Sequence, residues 1–477
     1  MQRQGIWIGG QERRGRGEPL PVVNPWTGEA FAEVDTASAE DVADAVELAH
    51  ATFRDVMRTL PAHRRAAILR KAAELIPAWA EDLATTLVQE GGKPIALCRV
   101  EARRAAEILV LAADAAKTVE GEIVPMDALP GGEGRFGMAL RVPLGVVGAI
   151  TPFNAPINLS LQKVAPALAA GCTVVLKPAD QTPLAVLKLG RLLKEAGLPD
   201  GALSVLPGRA ATGRALVAHP KVAVVSFTGS AAVGEQIQAA AGIKKVILEL
   251  GSNAPNIVCA DADLDEAARA LAQAGFNSSG QICVSAQRLY VHTSVYQAFL
   301  DRFLPLVAAL KIGDPRDESV TLGALINPGA LERIEAWVTE AVAEGATVLS
   351  GGRRHASGRN YLPTVLANVK PSMKIQCQEV FGPVVTLTPF DTLEQAIDMA
   401  NDSVYGLQAG VFTRDVGTAF RIARDLEVGS VWINDASRTR LDNTPGGGVK
   451  RSGVGREGGR YSLDEFVTYK FVGLKLG

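Results

Sequence analysis

Between residues 145 and 250 the chain repeats one pattern: a short apolar run, a polar stop, then a segment of helical periodicity. The apolar runs cover 145–151, 173–177, 202–206, 221–227 and 245–250, and the helical segments cover 156–170, 183–196 and 232–241. Short apolar strands joined by helical crossovers imply a parallel sheet covered on both faces, an α/β architecture of the doubly wound kind. In such sheets a ligand sits at the carboxyl ends of the strands. The polar residues there are Asn154, Lys177, Asp180, Ser230 and Glu249.

The flanks read differently. Residues 39–53, 62–90 and 95–118 show apolar spacings of three and four, which predict helices. Ser38 followed by Asp41 predicts a capping box at the first of them. Residues 122–142 hold Gly131, Gly132 and Gly134 between strand-like flanks and predict a hairpin that packs on another element or another subunit. After a helix from 261 comes a small polar loop at 277–281, and strand–helix alternation resumes to about 432. Residues 441–459 are glycine-rich, and 465–474 predict a final strand. At 477 residues, two or three domains are expected.

Charge narrows the function classes. The formal net charge is −2 with no block of like sign, so nucleic acid and anionic membrane have no electrostatic support as partners. No apolar run approaches the ~18 residues of a membrane span. Residues 1–18 are polar and basic and lack an apolar signal core, which makes cytoplasm the expectation. The five cysteines (Cys98, Cys172, Cys259, Cys283 and Cys377) are widely spaced, and the five histidines show no zinc-ligand spacing. Neither a disulfide framework nor a metal is expected.

Among the cysteines, Cys98, Cys172 and Cys259 lie in apolar runs or a helix and read as small buried hydrophobes. Cys283 follows Asn277-Ser278-Ser279-Gly280-Gln281, where backbone can approach a ligand closely, and is the candidate nucleophile. Glu249 is a carboxylate inside the apolar run Val246-Ile247-Leu248-Glu249-Leu250. It reads either as half of a buried ion pair or as a general base with a raised pKa. Gly453-Val454-Gly455-Arg456-Glu457-Gly458 matches a dinucleotide fingerprint literally, but no apolar strand precedes it. The residues from Gly229 to Gly234 do lie between strand and helix, where backbone N–H groups can hold a pyrophosphate. Asp261, Asp263 and Asp265 mimic a calcium loop but carry Glu266 where glycine is needed, so helix capping is the better reading.

Taken together, the segments resemble the aldehyde dehydrogenase superfamily from about Val22 to the C-terminus. The pieces are Thr151-Pro152-Phe153-Asn154, Lys177-Pro178, Ser226-Phe227-Thr228-Gly229-Ser230, Leu248-Glu249-Leu250-Gly251, Phe276-x-x-x-Gly280-Gln281-x-Cys283, Glu379-x-Phe381-Gly382-Pro383 and the run from Gly447 to Glu457. The resemblance implies a Rossmann-like cofactor domain (1–120 and 141–250, with 436–457 returning to it), an α/β catalytic domain (251–435) and oligomerisation strands at 121–140 and 458–477. It implies a homodimer or homotetramer. It implies oxidation of an aldehyde to the acid, with Cys283 as nucleophile, Asn154 in the oxyanion hole and Glu249 as the base that hydrolyses the thioester. Glu457 resembles a proton-relaying acid, with a structural salt bridge as the equal alternative.

For the cofactor, Lys177 and Asp180 resemble the pair on the adenine ribose, so NAD is favoured with NADP as the alternative. Glu379 and Phe381 resemble contacts to the nicotinamide ribose. Gly229, Ser230 and Gly234 fit the pyrophosphate region, and Thr151, Pro152, Phe153, Gly213, Phe227 and Leu250 complete the expected cofactor set. Three positions depart from the family pattern: Phe153 replaces a common Trp, Ser252 a second Gly, and Gly446 an aromatic that often borders the substrate entrance. A more open site is expected from the last. The substrate expectation is a short anionic or hydroxylated aldehyde, with Arg103, Arg288 and Arg440 as candidate clamps; surface or structural roles are the alternative. Arg438 also precedes the glycine-rich loop. The competing functions are a cysteine esterase or acyltransferase without redox chemistry, a catalytically silent scaffold of the same fold, and a hydroxy-acid dehydrogenase, which would want a proper fingerprint and a catalytic His.

Overall fold

Five parallel strands form the centre of an eight-stranded sheet in a computed structural model that describes residues 2–476. In space they run Lys245–Glu249, Val222–Thr228, Val146–Ile150, Thr173–Lys177 and Leu203–Val205. Chain order reverses between Val222–Thr228 and Val146–Ile150, which makes their carboxyl ends the switch point where a crevice opens. Burial explains the composition: Thr173–Lys177 is buried at all five positions, so an unbroken apolar strand fits where an alternating one would not.

Both sheet edges are closed by antiparallel strands. Ile6–Ile8 pairs with Leu203–Val205, and Gly453–Val454 pairs with Lys245–Glu249. The first was not expected; a three-residue strand is too short for an alternation to register, yet Ile6, Trp7 and Ile8 are all buried. The second places the literal glycine fingerprint on a sheet edge and sets Gly453 opposite Glu249.

The helix Pro156–Ala170 is buried along its whole length between this sheet and the helices Ala62–Gly91 and Ile95–Ala115. Proline opens it and Gly171, at φ +95°, turns the chain into the next strand. Ser38 caps Ala39–Thr52 as expected: its Oγ accepts from the Asp41 N–H, and the Asp41 carboxylate accepts from the Ser38 N–H. The helix Ala210–Ala218 escaped the sequence reading because Gly213 at its centre weakens helix propensity, which burial of Leu216 and Val217 outweighs.

A seven-stranded sheet follows, in the order Thr347–Ser350, Thr364–Ala367, Val384–Phe390, Arg288–His292, Pro255–Val258, Gln408–Phe412 and Ser430–Ile433. All its pairings are parallel except that of Thr347–Ser350. Asp263 caps the helix Leu264–Phe276, and Asp261 accepts from Thr413, Arg414 and Asp415, so these acids serve local structure. The strands Glu122–Val124, Arg135–Pro143 and Val467–Lys475 form a separate antiparallel sheet. The span 458–477 is therefore not all strand; Gly459–Glu465 is a helix too short for its period to show. No described helix is long and apolar enough to cross a membrane.

Gly453 has φ +145°, and a Cβ there would collide with the Leu248 carbonyl beside Glu249. Gly453→Ala is expected to lower the thermal midpoint by the equivalent of ~1–3 kcal/mol, the range of local backbone strain. Gly345→Ala is the control, with φ +109° but no atom within 4 Å; an equal loss in both variants would show that crowding at Gly453 contributes nothing.

Candidate active site

A cavity of about 1000 Å³ opens at the switch point and reaches from Lys177 and Asp180 at one end to Cys283, Glu379 and Phe381 at the other. Thr151, Pro152, Phe153 and Asn154 enter it from one strand end, and Phe227, Gly229 and Ser230 from the next. Gly213 and Leu250 also line it. Ser230 is the N-cap of Ala231–Ala241, so the free N–H groups of that helix start face the cavity loop. Gly234 is not part of the lining; a Cβ there would press into Leu250, so its role is close packing of helix on strand. Arg333, Trp337 and Arg451 line the cavity too and were missed, because they come from segments far away in sequence with no motif of their own.

Lys177 Nζ donates to Asp180 Oδ1 at 2.8 Å and to the Pro178 carbonyl at 2.8 Å. Glu379 Oε1 accepts from the Ser252 N–H at 2.9 Å, and a Cβ at Gly251 would collide with the Glu379 carboxylate. Ser252 thus does its work through its backbone, which is why a departure from glycine is tolerated. Burial pushes Glu379 up to about 7, against the opposing Ser252 hydrogen bond. Phe153 meets Phe381 edge-to-face at 5.8 Å, so the phenyl ring in place of the commoner indole still packs across the cavity.

The loop before Cys283 is strained. Ser278, Ser279 and Gly280 all have positive φ, at 54°, 57° and 69°. Non-glycine residues in this region cost energy and persist only where surroundings hold them. The surroundings are the Gly382 carbonyl, which leaves no room for a Cβ at Gly280, and Asn360, which donates to Ser279 Oγ at 2.9 Å. Asn154 Nδ2 donates to the Gln281 carbonyl at 3.0 Å, so the amide faces the Cys283 loop with a second N–H to spare. Burial pushes the Cys283 thiol up to about 12, with Arg440 pulling it down and Glu379 and Glu249 adding to the rise.

Glu249 ends its strand in the buried interior, between Thr228 on one side and Gly453 on the other. Ser452 locks this corner: its carbonyl accepts from the Leu250 N–H and its hydroxyl donates to the Gly251 carbonyl. Burial first, and Glu457 second, raise Glu249 to about 7, opposed by Arg440, Lys163 and Arg456. Its Oε1 has no hydrogen-bond partner among the described residues, as befits a group that awaits a water or substrate atom. Glu457 Oε1 accepts from the wholly buried Lys163 at 2.5 Å. Of the two readings of Glu457, the salt bridge is the one present in the structure.

The three candidate arginines separate. Arg103 is exposed on Ile95–Ala115 and makes no described ion pair. Arg288 is buried, but its guanidinium donates to the carbonyls of Asn253, Met399 and Ala400, which ties the second sheet to its helix. Sequence proximity to Cys283 misled here, because the strand Arg288–His292 carries the side chain away from the nucleophile loop. Arg440 alone is beside Cys283 and Glu249, close enough to act on both charges.

The sequence profile of the aldehyde dehydrogenase family matches residues 12–472. The chain belongs to that family. It is 45% identical to 3-sulfolactaldehyde dehydrogenase of Priestia aryabhattai over 100% of this chain and 99% of the relative. Among solved structures it resembles an NAD-dependent aldehyde dehydrogenase from Sinorhizobium meliloti (TM-score 0.96, 37% identity, covering 100% of this chain and 95% of that one). It resembles equally aldehyde dehydrogenase 21 from Physcomitrella patens in complex with the reaction product succinate (TM-score 0.96, 38% identity, 99% and 98% covered). The enzyme oxidises an aldehyde to the carboxylic acid with NAD(P). The cavity suits that cofactor: it is large enough for a dinucleotide, has a helix N-terminus for the pyrophosphate, and carries carboxylates at both ends for ribose hydroxyls.

A thiol held near 12 titrates far above neutrality, so below that pH its reactive fraction rises about tenfold per pH unit. In the cofactor-free enzyme, alkylation of Cys283 by iodoacetamide is expected to accelerate about tenfold per pH unit between pH 7 and 9, followed by peptide mass spectrometry. A plateau below pH 9 would mean that the thiol is already ionised.

Proposed function

We propose that the enzyme oxidises a short anionic aldehyde, with NAD preferred, through a thioester on Cys283. The observation that carries the reading is that Cys283 and Asn154 line the inner end of the cofactor cavity together, with Glu249 buried next to the lining residues Leu250 and Gly251 and near enough to raise the Cys283 thiol. The Cys283 sulfur adds to the aldehyde carbon as the thiolate, its proton having left to solvent. The carbonyl oxygen becomes an alkoxide held by the Asn154 amide and the Cys283 N–H; loss of such a donor typically costs ~10²–10³ in rate. Bound nicotinamide supplies the acceptor for the hydride that leaves this carbon as the C=O bond re-forms, giving the thioester. Glu249 deprotonates water, which adds to the thioester carbon. The C–S bond then breaks, releasing the acid and the Cys283 thiol. Lys163 and Glu457 hold the route by which the proton leaves.

Lys177 and Asp180 would hold the adenine ribose, Glu379 and Phe381 the nicotinamide ribose, and the helix start at Ser230 the pyrophosphate. The carboxylate of Asp180 repels a 2′-phosphate, which supports NAD over NADP. Support for an anionic substrate comes from two relatives whose named substrate or product is anionic, and from Arg438. Arg438 is half-buried, its Nε has no partner among the described residues, and no described carboxylate pairs with it. It borders a cavity of about 280 Å³ with Gln273, Thr439, Arg269 and the carboxylates Glu266 and Asp435. One wall of that cavity is the helix that runs into the Cys283 loop, and the other is the segment whose Ser437 hydroxyl donates to the Val284 carbonyl at 3.0 Å. The guanidinium without a described carboxylate partner, on a segment bonded to the chain just after Cys283, is the proposed partner of an anionic group at the far end of a short aldehyde. Arg103 and Arg288 no longer belong to that proposal, and Arg440 remains in the site.

The antiparallel sheet of Glu122–Val124, Arg135–Pro143 and Val467–Lys475 exposes Ile123, Leu140 and Leu474 on one face. A second copy would cover that apolar face, so a homodimer or homotetramer is the proposed assembly. The five unpaired cysteines suit a reducing compartment, which supports the cytoplasm.

Formation of NADH at 340 nm (the reduced nicotinamide band) tests the chemistry. Cys283→Ala is expected to abolish it, and Glu249→Gln to leave a single-turnover burst with steady turnover reduced at least ~100-fold, within the range for a lost general base. A Cys283→Ala enzyme that still turned over aldehyde would refute the mechanism. Arg438→Leu is expected to raise KM for succinate semialdehyde ~10-fold or more while KM for propanal changes less than twofold, as loss of a charge-assisted hydrogen bond would do. Equal changes for both aldehydes would remove Arg438 from the substrate.

A further inference from the structure

Arg440 lies at the centre of a buried chain of hydrogen bonds. Its Nη2 donates to Gln162 Oε1 at 2.7 Å and lies 3.5 Å from Glu457 Oε2. Gln162 in turn donates through Nε2 to Asp442 Oδ1 at 2.8 Å, and Arg104 grips Asp442 with two bonds of 2.6 Å. Gln162 can therefore satisfy both neighbours in one amide orientation only. On the other side Glu457 carries Lys163 on its first oxygen. The site thus holds two carboxylates, Glu249 and Glu457, with Lys163 and Arg440 on Glu457 and Arg456 acting more weakly on Glu249.

Position 446 explains how the guanidinium fits. A Cβ at Gly446 would sit 3.3 Å from Arg440 Nη2 and 3.4 Å from its Cζ. The backbone of Gly446 is pinned to Glu457, its N–H donating to the Glu457 carbonyl at 2.7 Å and its own carbonyl accepting from the Glu457 N–H at 2.8 Å. A side chain at 446 cannot move off, and an aromatic ring there would claim the volume that Arg440 uses. The glycine that the sequence suggested would widen the site instead houses an arginine.

We propose that Arg440 is a positioning residue for thioester hydrolysis: with Lys163 it answers the buried charge of Glu457 and Glu249, and Gly446 is the residue that makes room for it. The physical reason is the cost of uncompensated buried charge. Without Arg440 the two carboxylates would face only Lys163 and the weaker Arg456, and the cheapest relief is a proton on Glu249, the carboxylate without a hydrogen-bonded cation. A protonated Glu249 cannot take a proton from water. Arg440 supplies a charge that no accessible pH removes. It also opposes the rise that burial imposes on Glu249 and on Cys283. The groups that face Glu249 are Glu457 and Arg456 from the glycine-rich loop, Lys163 from Pro156–Ala170, Arg440 from the preceding segment and Cys283 from its own loop. Of these cations, Arg440 acts on Glu249 most strongly. The inference rests on the assignment of Cys283 and Glu249 above, but not on the substrate being anionic.

The test uses the full-length enzyme with NAD and propanal, whose lack of charge removes any clamp effect. Wild type, Arg440→Gln, Arg440→Lys, Gly446→Phe and Glu249→Gln are compared by stopped-flow burst and by the pH profile of kcat. Arg440→Gln is expected to keep the burst, lower the steady rate ~10- to 100-fold at pH 7, and move the acidic limb of kcat up by about one pH unit. Arg440→Lys should restore that limb in part, and Gly446→Phe should reproduce the Arg440→Gln limb with Arg440 still present. An unchanged acidic limb in both Arg440→Gln and Gly446→Phe would overturn the proposal, as would a shift in Arg440→Gln that Arg440→Lys does not reverse. A Glu249→Gln enzyme with neither burst nor loss of turnover would instead refute the assignment on which the inference rests.

Discussion

A carboxylate at the end of a buried parallel strand sets the terms for the rest of this site. Glu249 reaches the interior because its strand is flanked by Val222–Thr228 on one side and by Gly453–Val454 on the other. Once there, it must be answered by charge, since an isolated buried anion would neutralise itself by taking a proton. Lys163, Arg440 and Arg456 answer it from three different segments. The buried ion network and the proposed catalytic corner therefore meet at Glu249.

The cofactor cavity follows from a second constraint, the reversal of strand order in the first sheet. Two adjacent strands send their following loops in opposite directions, and the gap between those loops is where Thr151-Pro152-Phe153 and Gly229-Ser230 meet the same cavity. The nucleophile comes from outside this sheet. It stands on a loop with three consecutive left-handed residues, which close backbone contact with Gly382 and the Asn360 hydrogen bond hold in place. Rigid strands thus position the cofactor residues, while a strained loop presents the sulfur to them.

Much of this was legible in advance because it is local or periodic. Apolar runs with polar stops located the five central strands, and the Ser38–Asp41 capping box was read from a spacing of three residues. The motif residues Asn154, Lys177, Glu249 and Cys283 were legible because each follows or ends a strand-like run. What escaped had no local signal. The three-residue strand Ile6–Ile8 exists only because a sheet edge was available to pair with it. The helix Ala210–Ala218 survives a central glycine because burial favours it more than propensity opposes it.

Arginines show the division most sharply. By sequence, Arg103, Arg288 and Arg440 were equivalent candidates, since a guanidinium is charged wherever it stands. Their fates were decided by where each backbone points: one to solvent, one into the carbonyls of Asn253, Met399 and Ala400, and one into the gap left by Gly446. The sequence by itself determined the family, the parallel-sheet architecture and which residues are the candidate reactive groups, because these reside in local order and in residue chemistry. Only the tertiary structure decided which charges share one buried volume, because that depends on distances between segments as far apart as Lys163 and Glu457, and Coulomb energy in a low-dielectric interior depends on separation in space and not along the chain.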